Sequence, residues 1–143
     1  VQIVKSVYEV TDRYDHENRM LVMIGTNNCH LTSQDAMNAA NWPALQAFLD
    51  EIQAEGSRVT PMTITPRTSA WSQAIRTCIA DMNTAIKAYG AARGITVVDA
   101  FAALSDGNGS LAPAYDSGDG LHPNQAGQDA LAAAIIAAGF PRP

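Results

Sequence analysis

The chain has 143 residues, the length of one domain, and its 47% hydrophobic and 16% charged residues exclude disorder and a coiled coil. Nine basic against fourteen acidic side chains give a formal charge of -5 without any Lys/Arg cluster, so the electrostatic footprint of a nucleic-acid binder is missing. No apolar run approaches the roughly 20 residues that span a bilayer. Ile3, Val4, Val7, Val10 and Tyr14 recur at steps of three and four, which predicts an opening helix with one buried stripe. The charged stretch 15–19 breaks it, and Met20-Leu21-Val22-Met23-Ile24 reads as a strand buried on both faces, ended by Gly25. A polar loop over 26–41 leads to Trp42, Leu45, Phe48, Leu49 and Ile52 at helical spacing, with Gly56 as the stop. The β-branched stretch 58–65 predicts a strand closed by Pro66, with its start moved toward Met62 because Pro61 removes a ladder donor. Trp71, Ile75, Cys78, Met82, Ala85 and Tyr89 predict a long amphipathic helix over 70–89, stopped by Gly90 or Gly94, before a strand Ile95-Thr96-Val97-Val98. Turn residues cluster at 106–110 and 116–120, and a last helix follows with Pro123 in its first turn and its end near Gly139. Trp42, Trp71, Met20, Met23, Met62 and Met82 are assigned to the core.

Helices alternating with strands build a parallel sheet covered on both faces, so the fold class is α/β, one three-layer α/β/α domain over 1–143. Ligands of such sheets bind beyond the carboxyl ends of the strands, which directs attention to 25–30, to 65–69 and to the residues from Asp99 on.

Asp119-Gly120-Leu121-His122-Pro123-Asn124 sets a carboxylate three residues ahead of a histidine at a helix start. Folded back, Asp119 holds the Nδ1 proton of His122 and leaves Nε2 as a base for a serine hydroxyl. The same residues also suit a plain capping turn. Gly25-Thr26-Asn27-Asn28 follows the most apolar strand. Gly25 admits close backbone approach, and an asparagine amide there can donate to an oxyanion, a contact whose loss costs about 10²–10³ in rate. Gly and Asn are equally ordinary turn residues. His30 either lines the cleft or faces solvent. Arg67 is expected to cap a helix or form a surface salt bridge, with anion binding as the alternative, and Asp99 either caps the turn after its strand or serves the ligand edge. A metal held by Cys29, His30 and His122 lacks coherent ligand spacing, so no metal is expected there. Cys29 and Cys78 either pair, in an oxidising compartment, or remain buried thiols.

In this order, Gly25-Thr26-Asn27-Asn28 after a buried strand and Asp119-Gly120-Leu121-His122 before the final helix resemble the third and fifth blocks of the SGNH (GDSL-type) hydrolases. The third block looks especially like that of the acetylhydrolases related to the platelet-activating-factor enzymes. Thr65-Pro66-Arg67 and Val97-Val98-Asp99-Ala100-Phe101 sit at similar strand ends, so the resemblance runs the whole length of the chain. It implies the SGNH hydrolase fold with a flavodoxin-like parallel sheet, and a serine ester hydrolase. Asp119 is then the triad acid, His122 the general base and Asn27 an oxyanion donor, with Gly25, Thr26 and Asn28 beside the substrate. Asn28 stands where the family more often has aspartate. The implied substrate is a small acyl ester, acetylated carbohydrate among the candidates, and no cofactor is implied.

The family's first block, Gly-Asp-Ser with the nucleophile, and its second, with an oxyanion glycine, belong before the opening helix, and neither is found in the sequence. Ser117 follows a different strand and is too close in sequence to Asp119, and Ser33, Ser69, Ser72, Ser105 and Ser110 lack a Gly-Asp context, so none is nominated. The expectation is the carboxy-terminal part of a larger hydrolase. Its opening strands and serine come from an N-terminal segment or a companion chain, and without them the strand at 20–24 has an open edge. The alternative is a catalytically dead carbohydrate- or protein-binding module on the same fold. A nucleotide-binding domain is disfavoured, because no Gly-rich phosphate loop follows the first strand.

Overall fold

The computed structural model of the chain describes residues 18–31 and 41–140. The helix expected over 3–14 lies outside them. β1 (Arg19–Val22) and β2 (Arg58–Pro61) pair in parallel, with Arg19 opposite Arg58 and Val22 opposite Pro61. Beyond β2, the Met62 amide donates to the Val22 carbonyl at 2.8 Å, and Met62 forms a parallel bridge to Val98 on its other side. The strand expected at 95–98 is thus reduced to a single bridge, and Pro61 supplies the reason. Arg58 and Met62 donate toward β1, so the intervening odd-numbered residues face the third strand, and a proline there has no N–H to give. Pairing resumes where donors return, with the Thr63 amide on the Val98 carbonyl at 3.0 Å. β2 accordingly ends at Pro61, short of the 58–65 expected and before the Met62 start that Pro61 suggested.

Helices cover both faces. On one, α2 (Trp42–Ala54) and α3 (Gln73–Arg93) bury Leu45, Phe48, Leu49, Ile52, Ile79, Met82 and Ile86 against Val22, Val59 and Ile64. Each such side chain contributes about 1.5–3 kcal/mol on full burial, so this layer carries most of the hydrophobic stabilisation. Trp42 meets Tyr89 edge to face across it, at 5.9 Å. On the other face, α5 (Gln125–Ala137) lays Leu131, Ala134 and Ile135 against Met62, Val98 and Ala100. The two-residue period of β1 feeds both layers, with Met20 and Val22 on the first and Leu21 on the second.

Two short helices depart from the expected loops, α1 (Thr26–Leu31) and α4 (Ala100–Leu104). Asp99 is the cap of α4, its Oδ1 accepting the Ala102 amide at 3.1 Å. Burial pushes its carboxyl up, but bonds from Lys87, the Ala102 amide and Thr63 outweigh that and hold it below the ordinary value. α3 starts after Ser72 and runs through Gly90 to stop at Gly94, so Trp71 stands outside the helix whose stripe it was expected to share. Met23 is also no core residue, being 45% exposed. Cys29 and Cys78 form a disulfide that ties α1 to α3, with both residues fully buried. Among the described residues no helix is long and apolar enough to cross a membrane.

Candidate active site

α5 is preceded by a turn over 116–123 that closes on itself. Asp116 bridges Pro123, and its Oδ1 accepts the amides of Gly118 and Gly120, both at 2.9 Å. Inside this frame, Asp119 Oδ1 accepts the amides of Leu121 and His122 at 2.9 and 2.8 Å, which turns its other oxygen to His122 Nδ1 at 2.5 Å. The bond with the His122 ring, followed by the two backbone amides, holds the Asp119 carboxyl well below the usual carboxylate range. An ionised Asp119 fixes the proton on Nδ1 and leaves Nε2 as the basic nitrogen. The two side chains are 70% and 50% exposed, open to a hydroxyl arriving from outside the turn. Ser117 Oγ lies on the Asp119 carboxylate at 3.4 Å, not on the imidazole.

Sequence reasoning passes over Asn124, which anchors this turn. Its Oδ1 accepts the Gly127 amide at 3.0 Å as the cap of α5, while Nδ2 donates to the carbonyls of Ala114 and Asp116 at 3.0 and 3.1 Å. The signal was its type: asparagine directly before a helical run is a preferred N-cap. Gly120 fixes the turn from the other side. At φ +72° it presses so closely on Thr68 and Trp71 that a Cβ would collide with Thr68 Oγ1, and the Thr68 amide donates to its carbonyl at 3.0 Å.

The second motif sits at the end of β1. Gly25 has φ +114°, and a Cβ there would lie 3.0 Å from Ile64 Cδ1. Its carbonyl accepts the amides of Asn28 and Cys29 at 3.1 and 3.3 Å, which starts α1 where a loop was expected. Asn27 is exposed in the first turn of that helix, with Thr26 and Asn28 half-buried beside it. Arg67 is not at the surface, where a surface salt bridge would put it. It is 1% exposed, its Nη2 donates to the Thr26 carbonyl at 2.7 Å and to Thr26 Oγ1 at 3.2 Å, and its guanidinium stacks 4.4 Å from the Trp71 ring centroid. Burial pushes its pKa down. The structure therefore joins Asp119 to His122 directly, and Arg67, Thr68 and Trp71 link the segment of Gly25, Thr26, Asn27 and Asn28 to their turn. Cys29 is committed to the disulfide and is not available to a metal with His30 and His122. Among the described residues no group of three His, Cys, Asp or Glu is disposed to hold one.

The sequence matches the GDSL-like Lipase/Acylhydrolase family over residues 3–130. No curated protein matches it. Among solved structures, it is similar to a member of the lipolytic G-D-S-L family from Veillonella parvula, with TM-score 0.79 and 20% identity over 99% of this chain and 73% of that one. It is also similar to a GDSL-like lipase from Bacteroides thetaiotaomicron, with TM-score 0.68 and 23% identity over 82% of this chain and 60% of that one. An acetylxylan esterase from Geobacillus stearothermophilus, in a catalytic-mutant form, gives TM-score 0.72 and 20% identity over 97% of this chain and 67% of that one. The chain thus spans 60% to 73% of the length of these structures. Such likeness establishes the fold, the α/β architecture of the SGNH hydrolases.

Proposed function

The chain belongs to the GDSL-like Lipase/Acylhydrolase family, and from that premise we propose that it hydrolyses acetyl or other short-acyl esters through a Ser-His-Asp triad. Asp119 and His122 are two members, and the serine lies on residues outside this chain. The observation that carries the reading is the 2.5 Å bond between His122 Nδ1 and Asp119 Oδ2 on an open imidazole. In the reaction, Nε2 of His122 takes the serine proton as the serine oxygen bonds to the acyl carbon. The oxyanion is held by the Asn27 side-chain amide, with Gly25, Thr26 and Asn28 forming the wall beside it. The imidazolium then gives its proton to the departing alcohol as the ester C–O bond breaks, and water repeats the sequence to release the acid.

Similarity to an acetylxylan esterase favours an acetylated carbohydrate as substrate. In the protein carrying the upstream segment, His122→Ala should lower turnover of p-nitrophenyl acetate by roughly 10⁴-fold or more, and Asn27→Ala by about 10²–10³-fold. A fluorophosphonate should label one serine. Activity retained in H122A rejects the role of His122, and carbohydrate binding with neither turnover nor labelling identifies a binding module instead.

A further inference from the structure

We infer that Arg67 is a positioning residue, whose guanidinium holds the segment bearing Asn27 in register with the turn bearing Asp119 and His122. The inference rests on the reading that these two segments serve one active site. At 1% exposure, Arg67 is closed to substrate, so any effect it has on the reaction passes through its neighbours. Burying a guanidinium is costly, and an apolar residue would fill space in a core with less penalty. What arginine alone supplies is a rigid plane with a donor fork at its rim. In Arg67 one terminal nitrogen, Nη2, bonds both Thr26 O and Oγ1, at the first residue of α1, while the flat face lies on Trp71.

The link continues to the turn. Trp71 Nε1 lies 3.2 Å from where a Cβ of Gly120 would stand, the Thr68 amide holds the Gly120 carbonyl at 3.0 Å, and Gly120 directly follows Asp119. Thr26, Arg67, Trp71 and Gly120 thus form a contiguous strut between the two motif segments, across the residues that follow β2. An oxyanion donor and a base must be held within about 0.5 Å of their working geometry, and a misplacement of 1 Å costs about 10²-fold in rate.

The test uses the protein with its upstream segment. Arg67→Lys keeps the charge and loses the plane that joins Trp71 to Thr26. It should lower kcat for p-nitrophenyl acetate by about 10²-fold with KM and the pH profile unchanged, since His122 and Asp119 are intact. In NMR spectra, the signals of Asn27 and His122 should both move while those of Asp129 on α5 stay. Trp71→Leu, at a half-buried loop position, should show the same kcat loss and the same shifts, and it decides the matter if R67K does not fold. A lowered melting temperature with kcat of the folded protein unchanged overturns the inference. If the wild type hydrolyses no ester, the proposed function fails, and the NMR arm decides alone: unmoved His122 signals in R67K overturn the strut, and moved ones uphold it.

Discussion

A carboxylate that spends one oxygen on two backbone amides has only the other left to aim, and in Asp119 that oxygen meets His122 Nδ1. Because its folded pKa is depressed, the contribution Asp119 makes to the turn is present above the ordinary Asp value and is lost only as pH falls through the lower, folded one. Its side-chain carboxyl carbon should therefore show no NMR titration step near pH 3.9, where an unperturbed aspartate titrates. A step there would mean that the hydrogen bonds do not persist in solution. This pair was legible in the sequence because its partners are three residues apart and need only a local turn. Arg67 was not: Thr26 lies 41 residues away, and nothing in the intervening sequence says that strand pairing brings them together.

At the scale of elements, the helices were readable from their apolar spacing and the strands only in part. α2 falls where periodicity puts it and α5 begins just past Pro123, which was expected in its first turn, while the third strand shrinks to one bridge because a single proline on its neighbour withholds a donor. The short helices α1 and α4 carry too few residues to show a period. α1 is instead secured from outside, by Arg67 at its start and the Cys29–Cys78 disulfide toward its end. A cross-link between cysteines 49 apart should stabilise the fold by about 4 kcal/mol through the closed loop. Urea denaturation of oxidised against reduced protein measures this directly. A difference below about 1 kcal/mol would show that α1 frays without cost to the core. Spacing alone could not assign the pair, since two cysteines of this kind serve equally well as buried thiols.

Among the described residues the two helical layers differ in how much they bury. α3 buries Cys78, Ile79, Met82, Asn83, Ile86, Tyr89 and Gly90, whereas Gly127 is the one buried residue of α5, whose Ile136 is 70% exposed. Opening free energy follows such burial, so hydrogen exchange should find the amides of α3 slowest and those of α5 released earlier, as a unit. Equal protection of the two helices would show that α5 gains cover in solution from something beyond the described residues. The α/β layering itself was open to reading, since alternating helices and strands permit few other arrangements. The inequality of the layers was not, because α5 and α2 are both rich in apolar residues and differ in what the sheet offers them.

The two loops ahead of α5 offer different prospects to anyone wishing to alter the protein. The 116–123 turn is internally wired through Asp116, Asp119 and Asn124 and wedged on Thr68 by Gly120, so an inserted residue would break several bonds at once. The 106–110 turn hangs from a separate bridge between Ser105 and Leu111, with Asp106 accepting the Asn108 and Ser110 amides and Ser105 Oγ the Gly107 amide. Each doubling of such a loop costs only about 0.6 kcal/mol in closure entropy. Insertions belong in 106–110, with 116–123 kept letter for letter.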